Sequence, residues 1–198
     1  AKTIGYLGRI CPDKGLHLLV EAARLLAEDR DVPSFQVRAA GYLDPIDRPY
    51  LAGLLARAAD SKLHGRFQYL GVLDRPAKIA FLQSLDVMTA PSVYPESKGL
   101  PVLEAWANGV PVVLPSDGAF PEMVEDTGGG LLFEPENVQS LAAALGRMLR
   151  DDALAAGCGR RAHQAVHERY TADRMARQTL ELYETVTKLS REHFTQRR

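Results

Sequence analysis

The stretch that decides the fold spans residues 86–114 and reads DVMTAPSVYPESKGLPVLEAWANGVPVVL. It begins and ends with short apolar runs, at residues 86–90 and 112–114, which predict buried β-strands. Pro101 suits the first position of a helix, because its missing N–H would have no helical partner there. The stretch therefore predicts two strands with a helix between them, and that helix carries Glu104.

The same alternation runs along most of the chain. Strands are predicted at residues 3–8, 35–40, 67–71, 86–90, 112–114 and 131–133, with helices and short loops between them. This order favours one α/β domain, a doubly wound parallel six-stranded sheet with helices on both faces. From residue 138 onward the pattern predicts a wholly helical C-terminal tail, broken at Gly157 and Gly159.

Composition sets limits on partners and compartment. The 198 residues carry a net charge of −1, so no nucleic-acid partner is indicated, and no apolar run approaches membrane-spanning length. The two cysteines are too few for a disulfide framework and are interpreted as free thiols, which favours the cytoplasm. From residue 147 the tail holds 11 Lys and Arg against 7 Asp and Glu. This excess is interpreted as a solvated face. Docking onto a missing domain and peripheral contact with the inner face of a membrane are the open alternatives.

Two loops at the carboxyl ends of predicted strands carry the candidate chemistry, since ligands bind at that edge of such sheets. The first, at residues 8–15, is neither a dinucleotide-binding nor a Walker A loop, but it presents Arg9 and Lys14. A forked guanidinium and a compact ammonium on one loop suit a diphosphate. Taken alone, the pair is better explained as ordinary surface charge.

The second loop precedes the helix in the opening stretch. The N–H groups of Gly99 and Leu100 lie at a predicted helix N-terminus and are free to take an anion. Glu96 in the turn and Glu104 inside the helix would repel phosphate, so they should accept hydrogen bonds from neutral donors such as sugar hydroxyls. Singly, each glutamate is explained by solvation or by the helix dipole. Combined with the Arg9 and Lys14 loop, they predict a nucleotide-sugar site.

At this point the sequence resembles a known family. The pair Glu96 and Glu104, followed by GVPVV at residues 109–113, resembles the signature of the retaining family-4 glycosyltransferases of the GT-B fold. The loop at residues 8–15, GAFPE at 118–122 and GGGLLFEP at 128–135 agree with it. The resemblance covers nearly all of residues 3–186 and implies a Rossmann-like domain that forms one half of a GT-B fold.

The resemblance also implies roles for the residues around the donor's diphosphate. Arg9 and Lys14 would hold the diphosphate, and the N–H groups of Gly99 and Leu100 would add hydrogen bonds to it. Arg9, Lys14 and Glu96 form the implied catalytic set, in which the cations stabilise charge developing on the leaving phosphate. The protein cations would take the place of a metal, so the resemblance implies no metal and no cofactor.

Further roles concern the two sugars and the base. Glu96 would bind hydroxyls of the transferred sugar, Glu104 would bind the ribose, and the base would lie near residues 72–75, against Leu73. The donor is expected to be a UDP, GDP or ADP sugar. The acceptor is unknown.

In this family a second domain, on the amino-terminal side, binds the acceptor. The chain begins at the edge of a predicted strand, without a Met, and resembles the donor half only. We therefore expect residues 1–198 to form a single nucleotide-sugar binding domain without the acceptor domain. Alone, it should bind nucleotide sugar weakly and transfer sugar negligibly. The alternatives are a nucleotide-sugar epimerase-type relative and a non-catalytic α/β interaction module.

Overall fold

The computed structural model describes the backbone of residues 1–195 and the side chains of residues 1–188. The strands are β1 (Lys2–Leu7), β2 (Phe35–Ala40), β3 (Phe67–Tyr69), β4 (Val87–Thr89), β5 (Val112–Pro115) and β6 (Gly130–Phe133). The helices are α1 (Leu16–Glu28), α2 (Arg48–Ala59), α3 (Arg75–Gln83), α4 (Leu100–Ala107), α5 (Phe120–Thr127), α6 (Val138–Arg150), α7 (Asp152–Arg169) and α8 (Ala172–Thr195). Short 3-10 helices at Pro12–Lys14 and Pro45–Asp47 precede α1 and α2.

The six strands form one parallel sheet in the order β3-β2-β1-β4-β5-β6, which confirms the predicted α/β fold. In the central strand, Ile4 pairs with Val37 of β2 on one side and with Val87 of β4 on the other. The chain builds outward from β1 to β3, then crosses back over β1 and builds outward from β4 to β6. The direction therefore reverses between β1 and β4, and the loops after these two strands open a crevice at the carboxyl edge.

The reversal divides the helices between the two faces of the sheet. Parallel crossovers are right-handed, so α1 and α2 cover one face and α3, α4 and α5 cover the other. Leu19 of α1, Leu54 of α2 and Leu145 of α6 belong to one buried cluster. Trp106 of α4 and Phe120 of α5 belong to the second, together with residues of α3 and α7.

The helical tail is confirmed, but the predicted break in it is wrong. Helix α7 runs from Asp152 to Arg169 through both Gly157 and Gly159. A Cβ added at Gly159 would lie 2.1 Å from the carbonyl oxygen of Gly109. Gly159 therefore lets α7 pack directly on the turn after α4, and this glycine marks a close helix contact instead of a helix end.

Helix α8 differs from the other helices because every side chain described in it is exposed. Five large apolar side chains lie along it: Met175, Leu180, Leu182, Tyr183 and Val186. Within the described residues, no helix is both long enough and apolar enough to cross a membrane.

Candidate functional site

The loops after β1 and β4 touch each other at the carboxyl edge of the sheet. Gly15 has a φ of 71°, and a Cβ there would lie 1.7 Å from the carbonyl oxygen of Pro91. The N–H of Val93 donates to the carbonyl oxygen of Asp13 at 3.0 Å. Only glycine fits at position 15, because both the positive φ and the backbone contact exclude a side chain. These contacts bring the Lys14 loop against the Glu96 loop.

A third loop, after β5, fixes the turn that holds Glu96. The N–H of Ala119 donates to the carbonyl oxygen of Glu96 at 2.8 Å. Gly118 has a φ of 59°, and a Cβ at this position would lie 2.5 Å from the same oxygen. The backbone of Glu96 is thus held by contacts from a sequence-distant loop, and its side chain projects from a fixed position.

The centre of the site is a polar cluster around the Glu96 carboxylate. The Lys14 ammonium donates to Oε1 of Glu96 and to the hydroxyl of Tyr94. Ser92 Oγ donates to the same Oε1 at 3.0 Å. Burial lowers the pKa of the Lys14 ammonium, but the hydrogen bonds to Glu96 and Tyr94 more than offset it, and the net pKa is raised. Lys14 is therefore fully charged at neutral pH.

The N-terminus of α4 opens onto the same cluster. Gly99 has a φ of 57° and precedes Leu100, the first residue of the helix, so Pro101 lies one position later than predicted. The N–H groups of Gly99 and Leu100 donate no hydrogen bond to any group in the described part of the chain. Unpaired donors at the positive end of a helix are suited to an anion.

These residues border a cleft of about 70 Å³. Its lining includes the polar side chains of Lys14, Ser92 and Glu96 and the glycines Gly8 and Gly99. A second, larger groove of about 520 Å³ lies on the other side of the Glu96–Gly99 turn, beside Lys98 and Tyr170. The structure therefore brings Lys14, Glu96 and Gly99 together, as the prediction requires.

Arg9 lies on the same loop as Lys14 but does not line the cleft. Its side chain is exposed, and its Nε donates to the Cys11 sulfur at 3.3 Å. The hydroxyl of the buried Tyr6 donates to the Arg9 carbonyl oxygen at 2.8 Å and anchors the backbone. Arg9 thus lies on the exposed side of the loop, with its guanidinium free of carboxylate contacts within the described residues.

Glu104 and Leu73 each lie next to α3 or the loop before it. Oε1 of Glu104 accepts from the Lys78 ammonium of α3 at 2.5 Å. Leu73 is half-buried and packs against the cluster under α3 and α4, just before Asp74 caps α3. Glu104 does not touch the Lys14 and Glu96 cluster, although α4 connects the two sites directly.

Sequence reasoning missed three residues of this arrangement. They are Ser92 and Tyr94, which contact the Lys14 and Glu96 pair, and Lys78, which contacts Glu104. The spacing of Ser92 and Glu96, four positions apart between Pro91 and the helix, was the signal available for the first. No local pattern indicates Lys78, because its contact with Glu104 joins two helices that are separated by β4.

Two histidines of α7 lie four positions apart on an exposed surface. The rings of His163 and His167 lie 4.3 Å apart on an exposed face of α7. No group of three or more His, Cys, Asp or Glu side chains in the described residues is arranged to hold a metal ion.

Comparison with known proteins identifies the family of this chain. The sequence matches the family described as Glycosyl transferases group 1 over residues 1–165. It is 34% identical over 188 residues to a phosphatidyl-myo-inositol mannosyltransferase of Mycolicibacterium smegmatis, covering 94% of this chain and 46% of the relative. The chain thus spans about half the length of such relatives.

Two solved structures have the same fold. The C-terminal domain of a glycosyl transferase group 1 family protein from Francisella tularensis superimposes with a TM-score of 0.77 at 27% identity, covering 86% of this chain and 87% of that one. Anabaena HepE, solved in complex with UDP and glucose, superimposes with a TM-score of 0.82 at 23% identity, covering 92% and 48%.

Proposed function

This chain belongs to the glycosyl transferases group 1 family, and on that premise we propose that it is the donor-binding half of a glycosyltransferase. The complete enzyme would transfer a sugar from a nucleoside-diphosphate sugar to an acceptor, with retention at the anomeric carbon, as family-4 enzymes of the GT-B fold do. The observation that carries this proposal is the cleft in which Lys14, Glu96 and the N-terminus of α4 meet.

The groups on the Lys14 side of the cleft suit the diphosphate. The Lys14 ammonium and the N–H groups of Gly99 and Leu100 would bind its oxygens, and Arg9 would reach in from the exposed side of its loop. As the bond between the sugar and the phosphate breaks, negative charge grows on the leaving diphosphate. Fixed positive groups that oppose this charge lower the barrier without reorganising, and no metal or cofactor is needed for that role.

The carboxylates suit the neutral parts of the donor. Glu96 would accept hydrogen bonds from hydroxyls of the transferred sugar, and Glu104 would accept them from the ribose. The base would then lie over the loop that carries Leu73, near the N-terminus of α3. Lys78 supports this assignment because its ion pair holds the Glu104 carboxylate on that side of α4.

The donor would be a UDP, GDP or ADP sugar. The fold is shared with HepE, which was solved with UDP and glucose, and a related mannosyltransferase shares 34% identity. Neither likeness selects among the three nucleotides, and the acceptor belongs to the other half of the enzyme.

That other half is also the proposed partner of α8. The apolar side chains of α8 are exposed here, and the matched relatives are about twice as long as this chain.

We place the complete enzyme in the cytoplasm. The excess of basic residues in the tail supports peripheral contact with an anionic membrane surface.

Titration of the 198-residue chain with UDP-glucose, GDP-mannose and ADP-glucose tests the proposal. We expect weak, saturable binding of one of the three and negligible sugar transfer. Absence of binding to all three would contradict the donor-binding assignment. Efficient transfer by this chain alone would contradict the assignment as one half of an enzyme.

A further inference from the structure

We propose that Ser92 is a positioning residue that holds the Glu96 carboxylate in place for the donor sugar while Lys14 binds the diphosphate. The inference rests on the proposed function and adds a residue to it. It follows from the way in which Lys14 and Ser92 both donate to one oxygen of the Glu96 carboxylate.

Glu96 receives both of its described hydrogen bonds on a single oxygen. Lys14 and Ser92 donate to Oε1, whereas no described group donates to Oε2. The Glu96 side chain is 18% exposed, so it is partly shielded from water. The two donors together set the plane of the carboxylate and leave Oε2 available to accept from a sugar hydroxyl.

The two donors respond differently to a diphosphate. Lys14 carries its charge on a flexible four-carbon stem, and the negatively charged diphosphate competes with Glu96 for this ammonium. The bond from Lys14 to Glu96 must weaken as the diphosphate binds. Ser92 is neutral, so its hydroxyl gains far less by turning toward phosphate. It is also 5% exposed and has little room to move.

The local backbone keeps Ser92 where this role requires it. Pro91 precedes it, and the Pro91 carbonyl oxygen lies against Gly15, so the peptide unit is packed on the Lys14 loop. Val93, the next residue, is hydrogen-bonded to Asp13. On the other side, the Glu96 backbone is fixed by Ala119. Donor and acceptor are thus held at 3.0 Å by backbone contacts that do not depend on Lys14.

The test compares two affinities of each variant, one for the nucleotide sugar and one for its nucleoside diphosphate. Wild-type chain is titrated calorimetrically with UDP-glucose and UDP, GDP-mannose and GDP, and ADP-glucose and ADP, and the pair that binds is then used. For Ser92→Ala we expect an unchanged dissociation constant for the diphosphate and one about tenfold weaker for the sugar form, because a hydrogen bond to a charged group is lost. The proposal would be overturned if Ser92→Ala weakened binding of both ligands equally, or if it changed neither dissociation constant.

A double-mutant cycle with Glu96→Ala separates positioning from direct contact with the sugar. If Ser92 acts through Glu96, adding Ser92→Ala to Glu96→Ala changes the sugar-form affinity less than twofold. A further tenfold loss in that background would mean that Ser92 itself binds the sugar, and it would refute the positioning role.

Two further variants guard against a folding artefact. Ser92→Cys is nearly isosteric and a weak donor, so it should show the same selective loss if Ser92→Ala proves unstable. Ser84→Ala makes the same change at the far end of α3 and should alter neither affinity. If the wild-type chain bound none of the six ligands, that result would contradict the proposed donor-binding function and therefore also the role of Ser92.

Discussion

At the residue scale, the two glutamates that define the site are each paired with a lysine. Glu96 pairs with Lys14 and Glu104 pairs with Lys78. The pairs have different consequences under the proposed function. Lys14 must also serve the diphosphate, so Glu96 competes with the ligand for it. Lys78 has no such second role, and it keeps Glu104 oriented toward the α3 side.

The competition for Lys14 predicts opposite effects of one substitution on two ligands. Glu96→Gln should tighten binding of the nucleoside diphosphate by about threefold, the scale of a weak ion pair. The reason is that Lys14 no longer has to break an ion pair with a carboxylate before it binds the diphosphate. The same substitution should weaken binding of the nucleotide sugar, since an amide oxygen is a poorer hydrogen-bond acceptor than a carboxylate oxygen. Calorimetric titration of both ligands checks this, and a loss of affinity for the diphosphate would count against the competition.

Substitution of Glu104 should reduce nucleotide affinity much more than it reduces the free energy of unfolding. Glu104→Ala should weaken nucleotide binding by about tenfold, the value of a charge-assisted hydrogen bond to ribose. The free energy of unfolding should change by less than about 1 kcal/mol, because the ion pair to Lys78 lies at the surface. Calorimetry and denaturant unfolding measure the two effects separately.

Glu28→Ala is the matched control for that substitution. Glu28 ends α1, away from the cleft, and pairs with Lys62 at 2.5 Å, the same distance as the Glu104 pair. It should lose a similar ion pair without any change in nucleotide affinity. If the two variants bind nucleotide equally well, Glu104 has no part in the donor site.

Residue patterns placed Lys14, Glu96 and Gly99 correctly at one edge, because each follows a strand whose carboxyl end faces the same way. They could not indicate that Ser92 contacts Glu96 or that Lys78 reaches Glu104. The first contact depends on side-chain orientation. The second depends on how closely α3 and α4 pack, which no local pattern encodes.

At the element scale, two helical glycines of this chain have opposite environments. A Cβ at Gly159 of α7 meets the Gly109 backbone, whereas a Cβ at Gly53 of α2 meets nothing within 4 Å. The sequence suggested a helix break at Gly157 and Gly159 from their low helix propensity alone. The contact that explains the glycine at position 159 is with Gly109, fifty positions earlier, and no local sequence pattern can indicate it.

This contrast predicts stability changes of opposite sign for the same substitution. Gly159→Ala should destabilise the fold by about 1–3 kcal/mol, because α7 must move away from the turn after α4. Gly53→Ala should stabilise it by about 0.5–1 kcal/mol, because alanine favours the helix and nothing obstructs its methyl group. Thermal or denaturant unfolding decides, and stabilisation by both substitutions would contradict the close contact at Gly159.

The order of strands and helices was predictable because apolar runs and helical spacing alternate clearly. The strand order β3-β2-β1-β4-β5-β6 was not predictable in this way, because it depends on where the direction reverses, and the right-handed crossover rule only assigns each helix to a face once that order is known. That reversal is set by α3, which returns across β1 to place β4 beside it.

At the scale of the whole molecule, the fold produces the site by reversing direction between β1 and β4. The reversal separates α1 from α4 onto opposite faces, and the crevice between their loops holds the Lys14 and Glu96 cluster. Helix α8 adds a second feature, an exposed apolar surface whose proposed partner is the other half of the enzyme. The molecule thus has a proposed donor cleft at the sheet edge and, at the tail, an exposed helix that is the proposed docking element.

The most direct test of the central claim is the affinity of the 198-residue chain for a nucleoside diphosphate before and after Lys14→Met, with Lys62→Met as control. Lys62 is an exposed lysine paired with Glu28, far from the crevice. If Lys14 binds the diphosphate, Lys14→Met raises the dissociation constant at least tenfold, as expected for a lost charge-assisted contact, and Lys62→Met leaves it unchanged. Equal affinities in wild type and both variants would show that the diphosphate is not bound at this edge of the sheet.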